Sequence, residues 1–218
     1  MLIQMFVSVL LKLRFPTLNM KAGTEIISIP DITLDNTSFV SIDTKCRVNK
    51  MTTISAVDHS RIDIFSNTTL GCKKRFEGSI IKAKDNARIV IGKNCRIDHN
   101  VRCSAEGGEI LIGDNVTIGA NTIITSHAKI IIESNTSIAS GCVIVDHDHN
   151  YCANGKYNGF SVGEIFIGQN VWIGANSIIL KKTAIGSGAI IAAGTVLKGS
   201  IPDRCKVIQK RVSKIEEL

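Results

Sequence analysis

The chain has 218 residues, is 44% hydrophobic and 21% charged, and carries a formal net charge of +7. That balance excludes a disordered tail or low-complexity spacer. Aromatic residues make up only 5%, with one Trp and two Tyr, so a core must be built from aliphatic side chains. The positive charge favours anionic partners. The basic residues are not interleaved with aromatic rings, however, and a nucleic-acid platform is not expected. The seven cysteines are widely spaced and contain no Cys-x-x-Cys pair. They read as thiols in a reducing cytoplasm, not as a disulfide framework or a zinc ribbon.

Residues 1–15 are strongly apolar up to Lys12 and Arg14, and Pro16 ends the run. The run is shorter than the ~20 residues that span a bilayer, and it lacks a basic leader and a small-residue cleavage site. It is expected to pack on the body or on a partner subunit. Peripheral membrane contact at the inner membrane through its cationic flank is the alternative.

From about residue 89 an aliphatic residue recurs every six positions, and the longest unbroken run is Ile167, Ile173, Ile179, Ile185, Ile191 and Leu197. A period of six fits neither a helix nor a simple alternating strand. It fits short flat strands joined by tight corners, with Gly, Asn and Asp supplying the backbone freedom of the bends. Three sides close one coil of 18 residues, so Ile167 stacks on Ile185, Ile173 on Ile191 and Ile179 on Leu197. The core becomes a column of aliphatic side chains in a solenoid.

The repeat breaks between Val145 and Gly163, where the sequence opens with Asp146-His147-Asp148-His149. An interruption must leave the coil as a loop, and loops on rigid scaffolds carry function. A neutral histidine suits removal of an alcohol's proton, and Asp146 or Asp148 can fix its tautomer. Four adjacent ligand-type residues rarely converge on one ion, and no metal site is expected. Cys142 and Cys152 are weaker candidates as nucleophiles.

The stretch Ile167–Pro202, IGQNVWIGANSIILKKTAIGSGAIIAAGTVLKGSIP, resembles the hexapeptide-repeat acyltransferases, above all the branch of galactoside and maltose acetyltransferases and bacterial polysaccharide O-acetyltransferases. The resemblance covers residues 89–202 well and 40–88 weakly. It implies a left-handed parallel β-helix over 40–202 with a loop at 146–163. Residues 1–39 form a lead-in and 203–218 a basic tail. It also implies a homotrimer and acetyl-CoA as co-substrate. By position in the family, His149 is the expected base, with His147 second. Trp172 lines the transfer cleft, and Ala175 and Ala193 line the cofactor tunnel between subunits. Lys198 stands near the cofactor phosphates, where the family's usual VVTKDIP reads VLKGSIP. Ser126 and Asp148 fall near the acceptor. The family's acidic acceptor contact is replaced at Ser126 or His127, which disfavours a simple galactoside. The expected activity is cytoplasmic O-acetylation of a surface-polysaccharide sugar, and the positive charge favours an anionic one. N-acetylation of an amino sugar or antibiotic, and a non-catalytic scaffold, are the alternatives.

Overall fold

A computed structural model describes residue 11 and residues 14–26, 30–49, 51–71, 78–152 and 155–209. Short strands build three parallel ladders of nine, nine and eight strands among these residues. The first face runs from Leu18–Met20 to Ser200–Ile201, the second from Glu25–Ile26 to Lys206–Val207, and the third from Asp31–Leu34 to Val196–Leu197. Successive strands in the chain belong to successive faces, and each strand pairs with the one a full turn later. The result is a three-sided left-handed parallel β-helix.

The expected stacks are present: Ile167 pairs with Ile185, Ile173 with Ile191 and Ile179 with Leu197, a repeat of 18 residues. Between the terminal coils the three inward-facing columns are fully or nearly fully buried, as at Ile97, Ile118 and Ile138 on the second face. Inward-pointing aliphatic side chains thereby remove their whole surface from water, the main favourable term in folding. Earlier coils are longer, because Ile89 pairs with Ile110 and Ile110 with Ile130. The extra residues sit at the third corner, at 106–108 and 126–128, which explains the breaks in the hexad phase. The ladders start at Leu18, well before residue 40, and reach Val207, past residue 202. These terminal coils carry Leu18, Val40 and Val207 in place of the Ile-Gly hexad, so periodicity alone does not mark them.

Gly and Asn do different work at the corners. Asn94, Asn100, Asn115, Asn121, Asn135, Asn170 and Asn176 take the left-handed conformation, with φ between 53° and 62°. Asparagine tolerates that region through local hydrogen bonding. At the first corner, Nδ2 of Asn67, Asn94 and Asn115 each donates to Oδ1 of the next asparagine, at 3.0–3.1 Å. The glycines that follow Ile91, Ile112, Ile118, Ile167, Ile173 and Ile185 are needed for another reason. A Cβ on Gly174 would lie 2.5 Å from the Ala193 nitrogen, and one on Gly92 2.5 Å from the Gly113 carbonyl. These glycines allow close approach of successive coils and do not supply left-handed φ.

Leu11 belongs to the buried core, with Phe15 packed against it. Otherwise the expectation for residues 1–15 rests mostly on residues outside those described (1–10, 12 and 13), as do Lys210, Arg211 and Lys214 of the basic tail. Among the described residues no helix is long and apolar enough to cross a membrane.

Candidate active site

The third-face strand Val143–Val145 pairs with Ile123–Ser126 below and Ile178–Leu180 above, and the chain leaves the coil at Asp146. The excursion is an antiparallel hairpin of His147–Tyr151 and Tyr157–Val162, not an irregular loop. Tyr151, Tyr157, Phe160 and Val162 are residue types that favour extended backbone. The hairpin is closed at its base by the Gly163 amide donating to the Asp146 carbonyl at 2.8 Å.

Asp146 is completely buried. Its Oδ2 accepts from Ser126 Oγ at 2.6 Å and the Ala128 amide at 2.9 Å, and its Oδ1 accepts from the His127 amide at 2.8 Å. Three donors from the preceding coil hold a carboxylate that would otherwise be costly to bury. The same Oδ1 lies 3.2 Å from His147 Nδ1. That contact fixes His147 in the tautomer with Nδ1 protonated, so Nε2 keeps its lone pair. The His147 side chain is 11% exposed.

A ring cluster encloses this pair. Phe160 stacks on His127 at 4.1 Å, and His127 meets His147 edge-on at 4.3 Å. Burial, and then the neighbouring His147, pushes the proton affinity of His127 below that of free imidazole. His149 lies farther out, exposed, 6.1 Å from His147 and among Tyr151, Tyr157 and Phe160. Its ring makes aromatic contacts but has no hydrogen bond to a described residue. Asp148, 55% exposed, accepts from Lys181 Nζ at 2.8 Å, and that ammonium holds the carboxyl below the usual carboxylate range.

The expected site residues fall into two groups. His147, His149, Asp148 and Ser126 gather at the corner between the third and first faces, and Lys198 is close enough for its charge to act on Asp148. Ser126, expected beside the acceptor, is fully buried, because its hydroxyl is spent on Asp146. Trp172 lies on the second face, paired with Ser137 and Ile190 and 54% exposed. Ala175 and Ala193 occupy the corner between the second and third faces, with Ala175 accepting from the Gly194 amide. Within one chain the second face lies across the core from the histidine corner, so the tryptophan and the histidine hairpin do not converge.

Phe160 and Lys181 were not legible as site residues. Lys181 follows Leu180, which pairs with Val145. Aligning Ile144 with Ile179 would have set Lys181 beside Asp146, and this was the available signal.

A three-sided parallel β-helix wound from hexads is the scaffold of a class of bacterial transferases. Residues 164–199 match the bacterial transferase hexapeptide (six repeats) family, and residues 109–145 match the hexapeptide repeat of succinyl-transferase. The chain is 30% identical over 131 residues to the putative lipopolysaccharide biosynthesis O-acetyl transferase WbbJ of Escherichia coli (strain K12), covering 55% of this chain and 67% of that one. It is 32% identical over 135 residues to the dTDP-4-amino-4,6-dideoxy-D-glucose acyltransferase of Escherichia coli, covering 56% and 70%. The polySia specific acetyltransferase NeuO shares the fold, with a TM-score of 0.56 at 19% identity over 93% of this chain and 86% of that one. The chain spans 40% and 59% of the length of two further curated acetyltransferases. It belongs to the hexapeptide-repeat acyltransferases.

Proposed function

We propose that the protein transfers acetyl from acetyl-CoA to a hydroxyl of a surface-polysaccharide sugar or its precursor, by direct attack with a histidine base. The observation that carries this reading is the Asp146–His147 pair. A buried carboxylate fixed by three donors orients an imidazole whose Nε2 is the accepting atom. Nε2 takes the proton as the acceptor oxygen attacks the thioester carbon. The imidazolium, stabilised by Asp146, then returns the proton to the departing thiolate of CoA. No covalent enzyme intermediate is needed. On this support we rank His147 ahead of the His149 expected from the sequence, since the Asp146 carboxylate lies beside His147 and no carboxylate contact supports His149 among the described residues.

Trp172, with the small Ala175 and Ala193 at the adjoining corner, fits the apolar arm of the thioester co-substrate. A Cβ on Gly174 would already press on the Ala193 backbone, so this surface is flush. His147 and Trp172 lie on opposite sides of one prism, so the complete site needs His147 of one chain facing Trp172 of another. The proposed assembly is the homotrimer that the family resemblance implies. Lys198, on the histidine side, is proposed as a cationic contact for anionic substrate. The proposed use of acetyl-CoA favours a cytoplasmic site of action.

The relation to WbbJ, named as a lipopolysaccharide biosynthesis O-acetyl transferase, favours a hydroxyl acceptor. The relation to an acyltransferase of an amino sugar favours N-acyl transfer as the second reading. The test incubates protein with acetyl-CoA and a panel of polysaccharides and nucleotide-linked sugars, and reads the mass shift of one acetyl group. His147→Ala is expected to lose roughly 10²–10⁴-fold, the usual contribution of a general base, while His149→Ala keeps most of the rate. The opposite pattern restores His149. Transfer only to amines selects the second reading, and failure of all acceptors with no CoA binding selects a scaffold.

A further inference from the structure

The hairpin that carries both histidines leaves the solenoid and must be held at a defined angle to it. Its middle rung pairs Asp148 with Ser161, between the rung of His147 with Val162 and the rung of His149 with Phe160. Lys181, from the corner of the next coil, reaches this rung. Its Nζ lies 2.8 Å from Asp148 Oδ2, 2.6 Å from Ser161 Oγ and 3.0 Å from the Ser161 carbonyl. The residue is only 7% exposed.

A long, flexible side chain gives up considerable rotamer entropy when it is ordered. A lysine ammonium is also costly to bury unless it is paired and hydrogen-bonded. Lys181 meets both conditions only because it grips the two hairpin strands together. We infer that Lys181 is a positioning residue, whose buried ammonium clamps the Asp148–Ser161 rung and thereby sets the seat of His147 against Asp146 and His127. Asp148 is thus part of the clamp. The inference rests on the proposed acetyl transfer for its kinetic consequence, but not for its structural one.

Small displacements of a catalytic group are expensive: an error of about 1 Å costs on the order of 10²-fold in rate. Lys181→Met keeps the aliphatic stem and removes the charge. Hydrogen exchange by mass spectrometry is expected to show the amides of 148–151 and 157–162 exchanging faster, with the coils 88–145 unchanged. Consumption of acetyl-CoA with a working acceptor is expected to show kcat falling about 10–100-fold and KM for acetyl-CoA changing less than twofold. Lys181→Arg should restore part of the rate. In Asp148→Asn the ammonium loses its charged partner, so adding Lys181→Met to that variant should cost less than it does in the native chain.

Unchanged hairpin exchange in Lys181→Met overturns the inference, whether or not an acceptor is known. So does an equal rise in KM with kcat intact. Should Lys181→Met fail to fold, Ser161→Ala, altered only on the hairpin side, must show the same local loss of protection. If the native protein transfers no acetyl group at all, the proposed function fails while the exchange result still decides the clamp.

Discussion

Asp146→Asn changes one atom and keeps the volume, so its effect can be worked out from the contacts of the two oxygens. If the amide nitrogen takes the Oδ2 position, it faces the Ala128 amide, a donor against a donor. Ser126 Oγ can rotate to accept, and Oδ1 still serves His127 and His147. If the nitrogen takes the Oδ1 position, the His127 amide loses its acceptor and His147 Nδ1 must accept in place of donating. Either orientation leaves one backbone donor unsatisfied in a fully buried place, at about 1–3 kcal/mol, and exchanges charged for neutral acceptors; the sum is about 2–4 kcal/mol. The first orientation keeps the tautomer of His147 but removes the charge that stabilises its imidazolium. The second places the proton on Nε2 and removes the base, a change worth roughly 10⁴-fold in the serine-protease arrangement. The expected loss in transfer rate is therefore roughly 10²–10⁴-fold. Urea unfolding measures the stability. The fall in thioester absorbance measures the rate and avoids thiol reagents, which would react with exposed Cys152 and Cys205. A variant with native stability and more than a third of the native rate would refute the argument that Asp146 supports the base.

Two further outcomes are expected. Ile118→Ala removes a fully buried side chain between Ile97 and Ile138, and should cost about 2–5 kcal/mol through lost transfer energy and a residual cavity; a loss under 1 kcal/mol in urea unfolding would mean that the column is not packed as described. His127 binds its proton less readily folded than unfolded, so its contribution to stability is complete above the unfolded value of about 6.5 and declines as pH falls through that value to the lower folded one. Thermal unfolding should therefore soften between pH 7 and 5 more in the native chain than in His127→Gln, and equal slopes would rule His127 out as the group responsible.

The hexad spacing was sufficient for a three-sided solenoid, while its left hand came with the family resemblance. An aliphatic side chain every six residues has one way to bury itself repeatedly, and the stacks of Ile167 on Ile185, Ile173 on Ile191 and Ile179 on Leu197 follow from counting. The asparagines marked the corners for the same local reason, since their backbone preference travels with the residue. The Asp-His-Asp-His segment announced a site because it interrupts the period. Which histidine has a partner was not written there. It depends on three donors at 126–128, which reach Asp146 only because two extra residues widen the preceding coil.

Sequence periodicity is a local, repeated property, and it determined the prism, its core columns and the corner at which the chain departs. Contacts between coils depend on the length of every insertion, and one added residue moves each later side chain relative to its neighbour. For that reason only the tertiary structure decided that Lys181 lies under the hairpin, that Ser126 faces inward, and that Trp172 and His147 occupy opposite sides of one chain.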